Sequence, residues 1–300
     1  MEVIGRDVVR QPGAIPRAGL RVSSRHLGRL VSAGLIHATL LAGLVLVFFP
    51  IAWAVSTSFK NPGDIFLIPP VWIPNPIRWQ NYVEAMTTAN FGRYFLNTAI
   101  ITGLDIIGKV LSCSLVAFAF ARLRWWGRDV MFMVMISTLM LPTQVTLIPQ
   151  FVLYRQLGWV DTFLPLIVPN FFGGPFFTFL LRQFFLSIPT DLDDAARIDG
   201  CSSWGVFWRI IMPLSRPALM MVAIFVFNYT WNDFFGPLIY LHNRNNYTIS
   251  LGLQAFQTQA GPQWHLIMAA SLVAMLPVLL LFFLGQRYFI QGVVFSGVKG

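Results

Sequence analysis

The chain is short of charge, and of acidic charge above all. Only 11% of its 300 residues are charged, and 12 Asp and Glu stand against 21 Lys and Arg. A soluble domain carries about 25% charged residues, so a water-facing globule is excluded. With 56% hydrophobic residues the chain belongs in a bilayer. Cysteine is nearly absent: Cys113 and Cys201 stand alone, which gives no reason to expect a disulfide framework. The four histidines, His26, His37, His242 and His265, are scattered. They show no zinc spacing, and no nucleophile elbow accompanies them. The chain is therefore expected to be no enzyme, and to carry no cofactor and no metal of its own.

Long apolar runs are what it has. A bilayer core of about 30 Å needs about 20 mostly apolar residues per helix. Six runs meet that need: Leu30 to Val55, Phe95 to Ala121, Val130 to Phe151, Phe163 to Leu181, Leu219 to Ile239 and Leu266 to Phe289. This predicts an all-α polytopic protein with six transmembrane helices. The fourth run holds Pro165, Pro169, Pro175 and the pair Gly173-Gly174, which predicts a broken or bent helix. The first run follows a basic tail, is long and shows no small-residue cleavage site, so it reads as an anchor rather than a signal peptide.

Basic residues set the orientation, because loops rich in Lys and Arg stay inside. One side collects Arg6, Arg10, Arg17, Arg21, Arg25, Arg29, Arg122, Arg124, Arg128, Arg182, Arg197, Arg209, Arg216, Arg287 and Lys299. The other holds Lys60, Arg78, Arg93, Arg155 and Arg244. Both termini are predicted to be cytoplasmic, in a cell inner membrane. Residues 1–29 are a basic tail and 30–300 the transmembrane domain, with a core unit at about 95–290. The net charge of +9 follows from this asymmetry. Attraction to anionic lipid headgroups accounts for it without nucleic acid. The Pro-rich segment Ser56 to Tyr94 reads as an extended outer loop, with Trp72, Trp79 and Tyr82 at the interface.

Two features inside the runs carry chemistry. Gly103 to Val110 has the spacing of a phosphate-binding loop, yet Val110 replaces its Ser or Thr and the stretch lies within a span, so a nucleotide site is set aside. Asp105 and Lys109 are four apart and share a helix face, where they can neutralise each other. A structural ion pair is favoured there over a proton relay. In the fifth run, Asn228, Trp231, Asn232 and Phe235 share one helical face, with Tyr229 and Asp233 paired beside it. Amides and carboxylates bind sugar hydroxyls, and an aromatic face covers a sugar's CH surface, so these residues are candidates to line a solute pathway. Polar contact between helices is an equal alternative.

Four of the 12 acidic residues, Asp191, Asp193, Asp194 and Asp199, fall within one inner loop, 187–217. Thr190 and Asp193 have capping-box spacing, Asp193 and Arg197 form an i,i+4 pair, and Gly200 is a natural stop, so a short helix is predicted. Ser202 or Ser203 caps a second helix, on which Trp204, Phe207, Trp208 and Ile211 form one apolar face ending near Pro213. An acidic helix is repelled by an anionic leaflet, so a protein partner explains it better than lipid does.

The stretch "DDAARIDGCSSWGVFWRIIMP" resembles the cytoplasmic signature of permease subunits of binding-protein-dependent ABC importers: E-A-A, three residues, G, nine residues, I-x-L-P. It places Asp194, Ala195, Ala196, Gly200, Ile210, Met212 and Pro213 at the signature positions, with Asp for Glu and Met for Leu. "MLPTQVTLIPQF", "FNYTWNDFFGPLIY" and "GVVFSGVKG" extend the likeness to the carbohydrate-uptake branch, in particular the second permease of maltose and glycerol-phosphate systems. The resemblance implies a type I importer fold and a helix, Asp194 to Gly200, that enters a cleft on an ATPase subunit. It implies a dimer of such ATPases, a homologous second permease and an extracytoplasmic solute-binding protein as partners, the last facing His242 to Trp264. ATP hydrolysis would lie in the separate subunit. The solute would be an oligosaccharide, a polyol or glycerol phosphate. The competing class is an ion-coupled secondary carrier with Asp105 and Asp233 as relay groups, which leaves the acidic loop unexplained.

Overall fold

Among the described residues four helices are long and apolar enough to cross a membrane, and two bent pairs raise the number to six if each pair is one span. The computed structural model describes residues 24–87, 90–258 and 261–297. The basic tail before Ser24 and the last three residues of the GVVFSGVKG ending lie outside them. Residues 1–52 and 53–300 are separate units. The first holds most of α1 (Ser24–Ser58), exposed from residue 32 through 50. The second holds everything that follows.

Beyond α1 the Pro-rich segment is folded rather than extended. Lys60 is fully buried with its Nζ 3.9 Å above the Trp53 ring, a cation–π contact. Asn81, on α2 (Gln80–Thr87), donates from Nδ2 to the carbonyls of Ser58 and Lys60 at 2.8 and 2.9 Å. Trp72 and Trp79 are exposed as expected, whereas Tyr82 is tied down through its hydroxyl, 2.9 Å from Ser58 Oγ. The prolines stop helix formation, but buried amide and cation contacts fix the fold of the segment.

The second span, α3 (Phe91–Arg122), is the central helix, and its polar residues say why. Asn97, Thr98, Thr102, Asp105 and Ser114 are buried on it. A helix with such a stripe must face other helices, because lipid offers the polar groups no partners. The third span is not one helix. α4 (Arg128–Ser137) with its following turn meets α5 (Thr143–Gln156) at 99°, across Leu141-Pro142, where proline supplies no amide and excludes a helical predecessor.

The fourth span breaks where its glycines predict. α6 (Leu164–Ile167) passes into a 3-10 turn, Val168–Phe172, and restarts as α7 (Pro175–Ser187), with Gly173 at φ +85°. Such a break strands carbonyls, and α3 supplies donors for them. Lys109 Nζ donates to Gly173 O at 2.9 Å, Ser112 Oγ to Asn170 O at 3.1 Å and Cys113 Sγ to Gly174 O at 3.8 Å. The close approach needs Gly108, where a Cβ would lie 2.7 Å from the Phe171 ring.

α8 (Asp191–Ile198) and α9 (Ser203–Val206) follow; a π turn, Phe207–Ile211, leads into α10 (Met212–Leu214). This arm meets α11 (Arg216–Trp231) at 76°. The fifth span is thus shorter than the sequence suggests: α11 stops at Trp231, and after Asn232–Phe234 a separate α12 (Phe235–Tyr240) begins. Asp233 Oδ1 accepts from Gly236 N at 3.2 Å and so caps α12. α13 (Ile249–Ala255), a two-residue hairpin pairing Gln257 with Pro262, and α14 (Trp264–Gly297) complete the chain.

Two buried clusters hold the second unit together. One joins Cys113, Phe118, Leu181, Phe185, Phe207, Ile211 and Val222 from α3, α7, the π turn and α11. The other joins Phe91, Tyr94, Trp231, Ile249, Phe256 and Ala270. At one end of the bundle Asp161, at φ +64°, clamps two loops. Its Oδ1 accepts from His242 N and Asn243 N at 3.0 and 2.8 Å, and its own N–H donates to Tyr240 O at 2.7 Å.

Candidate functional site

The signature helix α8 has two unlike sides. Asp191, Asp194, Ala195 and Ile198, at i, i+3, i+4 and i+7, are all exposed, and Ile198 is 86% exposed. Asp193 and Ala196 point the other way and are buried. Ala195 is therefore free for a close approach and Ala196 is not; it belongs to the chain's own core. The helix ends as its glycine predicts. Gly200 takes φ +85°, its N–H donates to Arg197 O at 3.0 Å, and Cys201 N donates to Ala196 O at 2.9 Å, which is a Schellman cap. Open space surrounds Gly200, so it is required for conformation rather than for room.

Two local expectations fail here for one reason. The Thr190 side chain makes no cap, and Thr190 is already helical at φ −68° and ψ −24°. Asp193 pairs not with Arg197 but with Arg122 at the end of α3, Oδ2 to Nε 3.3 Å, both side chains buried. Arg122 Nη2 also donates to Ile188 O at 2.7 Å. Burial pushes the Asp193 carboxyl above the ordinary range, and Arg122 pulls it back. A buried arginine demands an acceptor more strongly than an exposed one, so Arg122 takes the carboxylate from both local partners. The helix is thereby anchored to the central span.

The second helix forms with Ser202 Oγ accepting from Gly205 N at 3.3 Å, as read from the sequence. Its apolar face divides. Phe207 and Ile211 are fully buried, whereas Trp204 and Trp208 are exposed, because the π turn inserts a residue and rotates the register. Ile210 and Met212 pack beside the core, and Pro213 is exposed at the start of α10.

The second candidate is a cavity of about 570 Å³ between α3, α5, the broken fourth span and the α11–α12 break. Thr98, Asp105, Lys109, Thr143, Gln150, Asn170, Tyr229, Thr230, Asp233 and Thr248 are its polar lining, with Phe177 and Phe225 among the apolar. Asp105 is 3% exposed; its Oδ2 accepts from Thr230 Oγ1 at 3.0 Å. Among the described residues no salt bridge joins Asp105 to Lys109, so the predicted ion pair is absent as a contact. Each took a separate partner because the helix break needs a donor more than Asp105 does.

Of the pathway candidates, Tyr229 and Asp233 line this cavity, and Asn228 and Asn232 are exposed beside it, joined by a 2.8 Å side-chain bond. Trp231 does not share their face. It is buried against Phe95 and Phe227, and its Nε1 donates to Ala274 O at 3.0 Å. Sequence reasoning missed Asn170 and Thr230 of the cavity, Ile198 of the exposed face of α8, and Arg122. Only Ile198 left a readable signal, its position four residues after Asp194 on the exposed stripe.

Comparison with known proteins gives the family. Residues 113–294 match the family described as binding-protein-dependent transport system inner membrane component. The probable ABC transporter permease protein YurM of Bacillus subtilis is 34% identical over 86% of this chain and 85% of its own length. The arabinooligosaccharides transport system permease protein AraQ of Halalkalibacterium halodurans is 31% identical over 85% of this chain and 92% of its own. The sn-glycerol-3-phosphate transport system permease protein UgpE of Yersinia enterocolitica is 30% identical over 87% and 95%. A bacterial ABC transporter involved in the import of the acidic polysaccharide alginate has a chain of the same fold, TM-score 0.76 at 21% identity, covering 91% of this chain and all of that one. This chain belongs to the family of binding-protein-dependent transport system inner membrane components, as a multi-pass permease subunit.

Proposed function

We propose that the chain translocates a sugar or sugar-like solute in an ATP-driven importer, and that it does so by turning motion at α8 into a change at the cavity. The observation that carries this reading is the exposed face Asp191, Asp194, Ala195 and Ile198, on a helix whose other face is bolted to α3 through Arg122 and Asp193. An acidic, partly apolar face that is exposed among the described residues suits a basic cleft on another protein. In this reading the cleft belongs to an ATPase dimer, which supplies the hydrolysis. A homologous second permease completes the pathway, an extracytoplasmic binding protein delivers the solute, and this chain needs no cofactor of its own. Both termini, with residues 1–29 as the tail, then lie on the cytoplasmic side with loop 187–217, inside a core of about 95–290.

Force has a short route. Closure of the ATPases displaces α8, the Arg122 pair and the core around Phe207 carry that displacement into α3 and α11, and those helices carry Asp105, Tyr229 and Thr230 into the cavity wall. Arabinooligosaccharide and glycerol-phosphate relatives support a polyhydroxylated solute, and the cavity's amide, hydroxyl and carboxylate groups beside aromatic rings suit one. In this reading Tyr229 and Asp233 in the cavity wall, with Asn228 and Asn232 beside them, lie in its path.

The test is coupling. In the reconstituted assembly, Asp194→Arg and Gly200→Trp abolish solute-stimulated ATP hydrolysis and uptake while leaving the folded chain in the membrane. Stimulation at the parental level in both variants overturns the proposal. A cysteine replacing Ala195, and not the buried Ala196, is the position from which a short crosslinker captures the ATPase.

A further inference from the structure

The cavity wall carries an unbalanced charge. Asp105 and Asp233 both line it against a single basic residue among the described lining, Lys109, whose ammonium donates to the Gly173 carbonyl at 2.9 Å, so acid outnumbers base two to one. The groups that face the carboxylates as donors are neutral: Thr230 Oγ1 and the Asn170 amide for Asp105, the Gly236 and Phe235 N–H groups for Asp233. Asp105 Oδ1 is buried and has no hydrogen-bond partner among the described residues, on a side chain that lines the cavity. A carboxylate oxygen left without a donor in a low-dielectric wall attracts hydroxyl, amide or ammonium protons and repels anions.

We propose that this wall selects the solute by charge: it admits neutral or ammonium-bearing sugars and rejects phosphorylated or carboxylated ones. The inference rests on the importer reading for its solute, and it separates this chain from two of its likenesses, the sn-glycerol-3-phosphate permeases and the alginate importer, whose solutes are anions. Asp105 supplies the unpaired acceptor. Asp233 adds charge while its other role, capping α12, holds it in place. Recognition of phosphate or carboxylate ordinarily uses arginine or lysine, and an aspartate at this position works against it.

The cavity's charge preference is measurable without a solute and without transport. In membrane vesicles holding the full-length assembly, Cys201 is replaced by Ser, Cys113 stays because it is buried, and Gln150→Cys serves as the reporter in the wall. Its modification rates with trimethylammonium-ethyl and sulfonato-ethyl methanethiosulfonate are divided by those of free 2-mercaptoethanol. The cationic reagent is expected to be favoured by about tenfold, as for a cleft lined by one sign of charge. The preference is expected to fall toward unity in Asp105→Asn with Asp233→Asn. A normalised ratio near unity in the parental chain, or a ratio unchanged in the double variant, overturns the proposal. Neither outcome touches the importer reading, which stands or falls on ATPase coupling.

Discussion

The two ends of the bundle are each closed by one aspartate, by opposite means. At the end carrying α8, Asp193 is buried against a buried arginine 71 positions earlier, and the pair joins a short helix to the central span. At the other end Asp161 stays partly exposed and gathers backbone N–H groups from His242 and Asn243. The first clamp is charge on charge without water; the second is a carboxylate completing main-chain donors that a loop leaves open. A buried pair is costly to break from one side, while an exposed clamp yields gradually. The comparison assigns the rigid joint to the end where a partner would push.

The largest effect is expected from Arg122→Ala. It leaves Asp193 buried and uncompensated, at a cost of about 3–5 kcal/mol, read as a large fall in the thermal midpoint of the purified protein. Removing both charges as Arg122→Met with Asp193→Leu is expected to recover most of that loss, because an apolar pair of similar volume replaces the ions. A double variant no more stable than Arg122→Ala would show that the joint works through Arg122 and Ile188 O alone.

Next comes Lys109→Met, which keeps the stem and removes the donor to Gly173 O. A stranded carbonyl inside the span costs about 1–3 kcal/mol. Increased protease cleavage or cysteine labelling near residues 170–175 is the measurement, and an unchanged pattern would show that the break needs no outside donor.

The smallest effect belongs to Asp161→Asn, and it depends on pH. Backbone N–H groups, Asn243 first, hold the Asp161 carboxyl below the usual range. A depressed carboxylate stabilises the fold above its unfolded value, about 3.9, and that contribution is lost as pH falls through the lower folded value. The gap between parental and variant midpoints should therefore be constant from neutral to about pH 5 and close below it. A gap that widens on acidification would contradict the clamp.

These particulars also show what could be read from the chain and what could not. The break in the fourth span was legible because Gly173, Gly174 and Pro175 act locally. The stop at Gly200 was legible for the same reason. Arg122 as partner of Asp193 was not, since pairing across 71 positions is a product of packing. The fifth run failed differently. The run through Ile239 was read as one helix, whereas α11 stops at Trp231 and Asp233 caps a new helix beyond it; Trp231 itself turns inward to a carbonyl of α14. Hydropathy saw an apolar run on both sides of the stop. The π turn was invisible too, because one inserted residue leaves the hydrophobic count unchanged and moves only which side each tryptophan takes.

Lys109 ties two properties that would otherwise vary independently. While the fourth span is broken, its ammonium is engaged with Gly173 O and the neighbouring carboxylate is uncancelled. Any conformation that returns that carbonyl to a helical partner sets a cation loose one turn from Asp105. Straightening the span would thus free that ammonium to approach Asp105, so the same movement that reshapes the wall would also redistribute its charge.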